Sequence, residues 1–194
     1  MSLQTDFNVQ ILKYCGESAL SVYSVISNCV ILVNSLFTGV GQTIQLIIAT
    51  NYGAGKWERI KGIRRMSYLT ITIMGAVFSL SGIMFPLGIC AVFMEVGENI
   101  EVLAQNARRD YFIVFLPMGI NLLSSYYLQS VLSARKSLFI SLLRNIILSS
   151  IAILTFPLMF DGSSLWFAMP IVEVAVLFVS VIFLKTTKCR TGTD

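Results

Sequence analysis

SALSVYSVISNCVILVNSLFTGVGQTIQLIIATNYGAG, residues 18–55, holds 38 residues without one charged side chain. Lys56, Arg59, Lys61, Arg64 and Arg65 then follow within ten residues. A helix crosses a hydrocarbon core of about 30 Å with about 20 apolar residues. A soluble domain needs a solvated face and has no reason to leave so long a stretch uncharged. The run therefore reads as a membrane helix. Lys and Arg are retained in cytoplasmic loops, so its basic end is expected inside. Splitting the run at Gly39-Val40-Gly41 would leave only 14 residues after the glycines, too short for a pair of spans. One long helix is expected, with the glycines permitting a kink.

The rest of the chain agrees. Of its 194 residues 56% are apolar and only 12% charged, against about 25% charged in soluble proteins. The net charge of +4 does not point to nucleic acid, because the basic residues sit at the ends of apolar segments and do not share a polar face. There is no histidine, and Cys15, Cys29, Cys90 and Cys189 are scattered. Zinc and haem sites and Ser-His-Asp triads are thereby excluded, and no nucleophile–base constellation suggests an enzyme. The polar start Met1-Ser2-Leu3-Gln4-Thr5-Asp6 lacks the basic and apolar regions of a signal peptide.

The sequence predicts an all-α polytopic membrane protein. Five charge-poor segments, 18–49, 66–94, 111–134, 137–160 and 164–184, are each long enough to span a bilayer. Their connections alternate in charge. The first is basic; the second carries Glu95, Glu98, Glu101 and Asp110; the third is Arg135-Lys136; the fourth holds Asp161; the tail has Lys185, Lys188 and Arg190. That alternation fits five spans with a cytoplasmic C-terminus in the cell (inner or plasma) membrane. Residues 1–17 then start outside, as the end of a truncated transmembrane helix, with Asp6 and Lys13 arguing against a complete span. Residues 18–194 form the bundle and tail.

Polar residues within the spans are ordered. Ser24, Asn28, Ser35, Thr38, Gln42 and Gln45 recur at helical spacing and form one face of the first span. Lipid offers an amide no partner, so that face is expected toward another helix or water. Thr72, Gly75, Ser79, Gly82 and Pro86 form a small-residue face suited to close helix packing. Pro117, Asn121, Ser125 and Gln129 follow at intervals of four, with a bend expected at the proline. Asn28, Gln42, Gln45, Asn121 and Gln129 are the candidate cavity-lining residues.

Arg144 and Glu173 are the in-membrane charges. Glu173 lies about 14 Å from the outer end of its span and Arg144 about 10 Å from the inner end of its own. In a core of about 30 Å these depths differ by about 6 Å. A direct or water-bridged pair is geometrically reasonable. Arg144 has the alternative of snorkelling to the surface; Glu173 does not.

GVGQTIQLIIATNYGAGKWER, residues 39–59, resembles the second helix and following cytoplasmic loop of the C-terminal lobe in multidrug and toxic compound extrusion (MATE) transporters. Ala19 to Ile26, Leu142-Leu143-Arg144-Asn145 and Leu165 to Glu173 extend the resemblance over nearly the whole chain. It implies the C-terminal six-helix lobe of a twelve-helix, two-lobed exporter. The five spans would be the last five helices, and residues 1–17 the outer end of the seventh. It further implies antiport of cationic amphipathic compounds by alternating access, coupled to Na⁺ or H⁺, with no cofactor and no metal. The partners implied are small cationic substrates, the lipid bilayer and a missing N-terminal lobe. Two departures stand out. The span at 111–134 has no acidic residue where the family's tenth helix often has one, and Leu46 stands where a proline often follows the second glutamine. A lipid-precursor flippase of the same superfamily and a truncated, non-transporting membrane fragment are the rival expectations.

Overall fold

The computed structural model describes residues 3–85, 111–159 and 165–187. Within them the chain is a bundle of helices. Helix α1 is Leu3–Gly53, α2 is Trp57–Met84 and α3 is Phe115–Ser130. Helix α4 runs through Ala134–Leu142, a π-helical segment Leu143–Leu148, and Ser149–Met159; α5 is Leu165–Thr186. Four stretches are long and apolar enough to cross a membrane: Ala19–Gly53, Trp57–Met84, Ala134–Phe156 and Phe167–Thr186. The end of the expected second span at 86–94, the acidic connection after it, the Asp161 connection and the tail beyond 187 lie outside the described residues.

The long uncharged run forms one helix, but its break is not at Gly39 or Gly41. It is at Gly16, with φ 84° and ψ −179°, a conformation essentially reserved for glycine. Gly41 has a different use. A side chain there would run into the Tyr126 ring, so its bareness seats α1 against α3. The stub expected at 1–17 is helical from Leu3 and leaves the axis at Gly16.

The Asn51-Tyr52-Gly53-Ala54-Gly55 sequence makes a tight reversal. Lys56 N–H donates to Asn51 O at 2.9 Å, and Gly55 takes φ 67°. Tyr52 and Trp57 pack edge to face across the turn at 5.1 Å. Helix α2 starts at Trp57, earlier than the expected 66, so Arg59, Lys61, Arg64 and Arg65 are helical and not in a loop, and Lys56 is the residue before the helix. Its 28 residues reach about 42 Å, more than the hydrocarbon core, and the charged first turns can therefore lie outside it.

Helix α3 is the axis of the bundle, and α1, α2, α4 and α5 all pack on it. Eleven of its 16 residues are buried. The expected span 111–134 is thus reduced to a shorter regular helix, wrapped by protein on most sides. Pro117 falls in its first turn, where a missing N–H is harmless, and the expected span is interrupted just before it, by a turn at Ile113-Val114 that follows helical Tyr111-Phe112. The small face of α2 does what its composition suggests: Gly75, Ser79 and Gly82 are buried, although Thr72 is exposed. A Cβ on Gly75 would lie 3.1 Å from Leu116 Cα, so backbone meets backbone there. Phe37, Ile71, Phe115, Leu123 and Tyr127 fill the centre. The outer surface carries Leu69, Ile73, Val77 and Leu80 on α2, and Ile147, Ile151 and Leu154 on α4. That apolar exterior suits lipid, not water.

Candidate functional site

The π-helical segment of α4 places Arg144 opposite Glu173 of α5. Arg144 Nε donates to Glu173 Oε1 at 2.6 Å. Glu173 is buried, and Asn121 of α3 is wholly so. Asn121 Nδ2 donates to Glu173 Oε2 and to the Glu173 main-chain carbonyl, each at 2.8 Å. One helix thus supplies the carboxylate, one the cation, and the central helix an amide that holds the carboxylate in place. A π-turn is rare and tends to occur at functional positions. Here it widens the helix so that Arg144 O accepts from Ser149 Oγ, five residues on, at 2.6 Å.

A second polar group lies nearer the basic end. Gln45 Nε2 donates to Gln129 Oε1 at 3.2 Å, and Gln129 Nε2 donates to Ser137 Oγ at 2.9 Å. Ser130 Oγ reaches Gln45 O at 3.2 Å. These bonds tie α1, α3 and α4 together. Beyond them, Arg64 lies over the Tyr127 ring, 5.5 Å from its centroid.

Two cavities flank the Arg144–Glu173 pair. One, of about 320 Å³, is bordered by Tyr23, Tyr111, Met118, Met169, Glu173 and Arg144, among others. The other, of about 380 Å³, is bordered by Asn34, Ser125, Gln129, Ser141, Asn145 and Arg144.

The seven candidate residues therefore separate. Asn121, Glu173 and Arg144 form one cluster, and Gln45 with Gln129 forms another. Asn28 and Gln42 join neither; both are exposed on the outer face of α1, in line with exposed Ser35. Asn34 is a further inward polar residue of α1, passed over in the sequence together with Ser141 and Asn145. A signal was present: Ser27, Asn34 and Gly41 recur at a spacing of seven, one position behind Asn28, Ser35 and Gln42.

The sequence model of the MatE family matches residues 2–154. The chain belongs to the MatE family. The fold of this MatE chain is similar to those of solved transporters. It superposes on an outward-facing multidrug resistance MATE transporter of the MOP superfamily with a TM-score of 0.84 at 13% identity, covering 94% of this chain and 41% of that one. It also superposes on an inward-facing one with a TM-score of 0.79 at 11% identity, covering 99% of this chain and 45% of that one. A third similar structure is a MOP superfamily transporter from Pyrococcus furiosus, described as having a binding pocket of reversed polarity suggesting a different function. Its TM-score is 0.80 at 14% identity, with 94% of this chain and 41% of that one covered. No curated protein matches. The MatE chain thus spans about two fifths of the length of the first of these transporters. Family, fold and apolar helices together make it a multi-pass membrane protein with the fold of MATE transporters.

Proposed function

We propose that this chain is one lobe of a cation-coupled exporter of cationic amphipathic compounds, working by alternating access against a second lobe. The basic end, with Lys56, Arg59 and Arg135, faces the cytoplasm, and the C-terminus with it. The observation that carries the proposal is the buried Arg144–Glu173–Asn121 cluster, set among helices whose outer surface is lipid-like. A charged pair at membrane depth, held by a third polar group, is costly to insert and marks a transport path by default. The exposed row Asn28, Ser35 and Gln42 on α1 supports a facing wall: amides on lipid would be unpaired, whereas amides on a central cavity meet water and substrate. Rocking of two lobes about such a cavity is the common logic of repeat-built transporters.

Glu173 is the group proposed to exchange with Na⁺ or H⁺, Arg144 releasing it as the lobes rock. A second reading has one specific observation behind it. Arg144 borders both cavities and Glu173 only one, which would favour an anionic lipid precursor over a cationic drug.

Ethidium efflux tests the proposal, with the chain expressed alone and with a partner lobe, and with a Na⁺ or proton gradient imposed or collapsed. Gradient-dependent efflux that Glu173→Gln reduces, at equal membrane level, is the expected result. Efflux in no combination, or efflux indifferent to the gradient, would sink the exporter reading. Stimulation by an anionic lipid precursor instead would select the second one.

A further inference from the structure

The two cavities are stacked along the bundle. On α1 the first is bordered by Ser27 and the second by Asn34; on α3 by Met118 and then Gln129; on α4 by Ser149 and then Ser141. Helices α1 and α3 run toward the basic end and α4 runs away from it, so all three helices give the same order. The second cavity is the one nearer the basic end. Among the described residues, only Arg144 and Asn145 border both cavities.

The second cavity has a polar lining. Asn34 Oδ1 has no hydrogen-bond partner among the described residues. The guanidinium has five N–H donors, and only Nε–H is bonded to a described residue, Glu173. Polar groups at membrane depth that find no protein partner require water.

We infer that the bundle carries a lengthwise path for water and that Arg144 closes it to cations at mid-depth. Glu173 and Asn121 fix the guanidinium across the junction of the cavities. A fixed positive charge in a narrow polar passage admits water and repels protons and metal cations, as in other selective pores. Without it, Glu173 would stand alone in the passage and draw cations in.

Cysteine labelling tests this in the full chain, with its four natural cysteines replaced by serine. A membrane-impermeant methanethiosulfonate carrying a quaternary ammonium is applied to one face of the vesicles at a time. Arg59→Cys defines the basic side. Ser141→Cys is expected to label from that side only, and Ser149→Cys from the other side only. Labelling of both from one side, or of neither while Arg59→Cys labels, would overturn the inference. In Arg144→Ala, labelling of Ser149→Cys from the basic side should rise by about tenfold or more, and vesicles should leak protons. Unchanged labelling and no leak would refute the role of Arg144. If Arg144→Ala does not fold, Asn145→Ala opens the same junction, and the side-specific labelling with Arg144 intact still decides the path. None of these readouts requires drug export, so the path and the exporter reading stand or fall separately.

Discussion

Asn121 and Glu173 are joined twice. The single side-chain nitrogen of Asn121 donates to both the carboxylate and the main-chain carbonyl of Glu173, each at 2.8 Å. An amide NH₂ has two hydrogens, and both are used on one residue. The carboxylate is therefore fixed with respect to its own helix as well as to α3. Asn121→Ala should destabilise the protein by about 1–3 kcal/mol, because a buried charged acceptor loses its donor. Asn121→Asp should be worse at neutral pH, since it sets a second carboxylate against Glu173. Thermal unfolding in detergent would check both; an Asn121→Asp variant as stable as the parent would refute the account.

The Arg144–Glu173 pair should be strongly non-additive. Removing one member leaves the other buried and uncompensated, a loss of about 3–5 kcal/mol. Removing both, as Arg144→Met with Glu173→Leu, should recover most of it, because an apolar pair of similar size is often neutral or better. Melting temperatures of the two single variants and the double variant give the coupling directly. Additive losses would show that the two charges do not depend on each other.

Packing of α2 on α3 depends on Gly75. A methyl group there would press on Leu116 Cα at 3.1 Å and Phe115 O at 3.2 Å, and backbone atoms cannot swing aside. Gly75→Ala should lower stability by about 1–3 kcal/mol, the range for overpacking. Gly62, on the same helix, has open space. Gly62→Ala should be stabilising by roughly 0.5–1 kcal/mol through helix propensity alone. Equal effects at the two positions would count against close contact at Gly75.

Two backbone positions should respond in opposite senses. Gly16 has open space around it but a φ of 84°, so Gly16→Ala should cost about 1–3 kcal/mol from strain without any clash. Leu132, 81% exposed, has a φ of 59° in the turn between α3 and α4. Leu132→Gly relieves a left-handed conformation that costs an L-residue about 1–2 kcal/mol, and should raise the melting temperature.

The class of fold was readable in the uncharged run and its basic flank, since membrane insertion writes itself into composition. The depths of Arg144 and Glu173 could be counted along their spans, which brings them within reach of one another from the sequence alone. Other features could not be counted. Polarity alone does not separate the outward row at Asn28 from the inward row at Asn34, because they differ by one residue and the facing helices decide between them. The break at Gly16 escaped for a related reason. Glycines 16, 39 and 41 look alike in sequence, and only the neighbours show which is bent and which is packed. Helix α3 was over-extended because a helix sheathed in protein need not match the bilayer thickness.

The two rows on α1 constrain how this chain can change. Neighbouring positions on a helix are about 100° apart, so one residue gained or lost between Ser27 and Gln45 would rotate the flanking parts against each other. Gly41 is pinned against Tyr126, and the part before the change would have to turn. For a change between Asn34 and Gly41, Asn34 would leave its place and Ser35 or Val33 would take it. Point substitutions in α1 can be absorbed one at a time, but its length between these positions is set; insertions should survive only near the Gly16 break or in the Gly53–Gly55 turn.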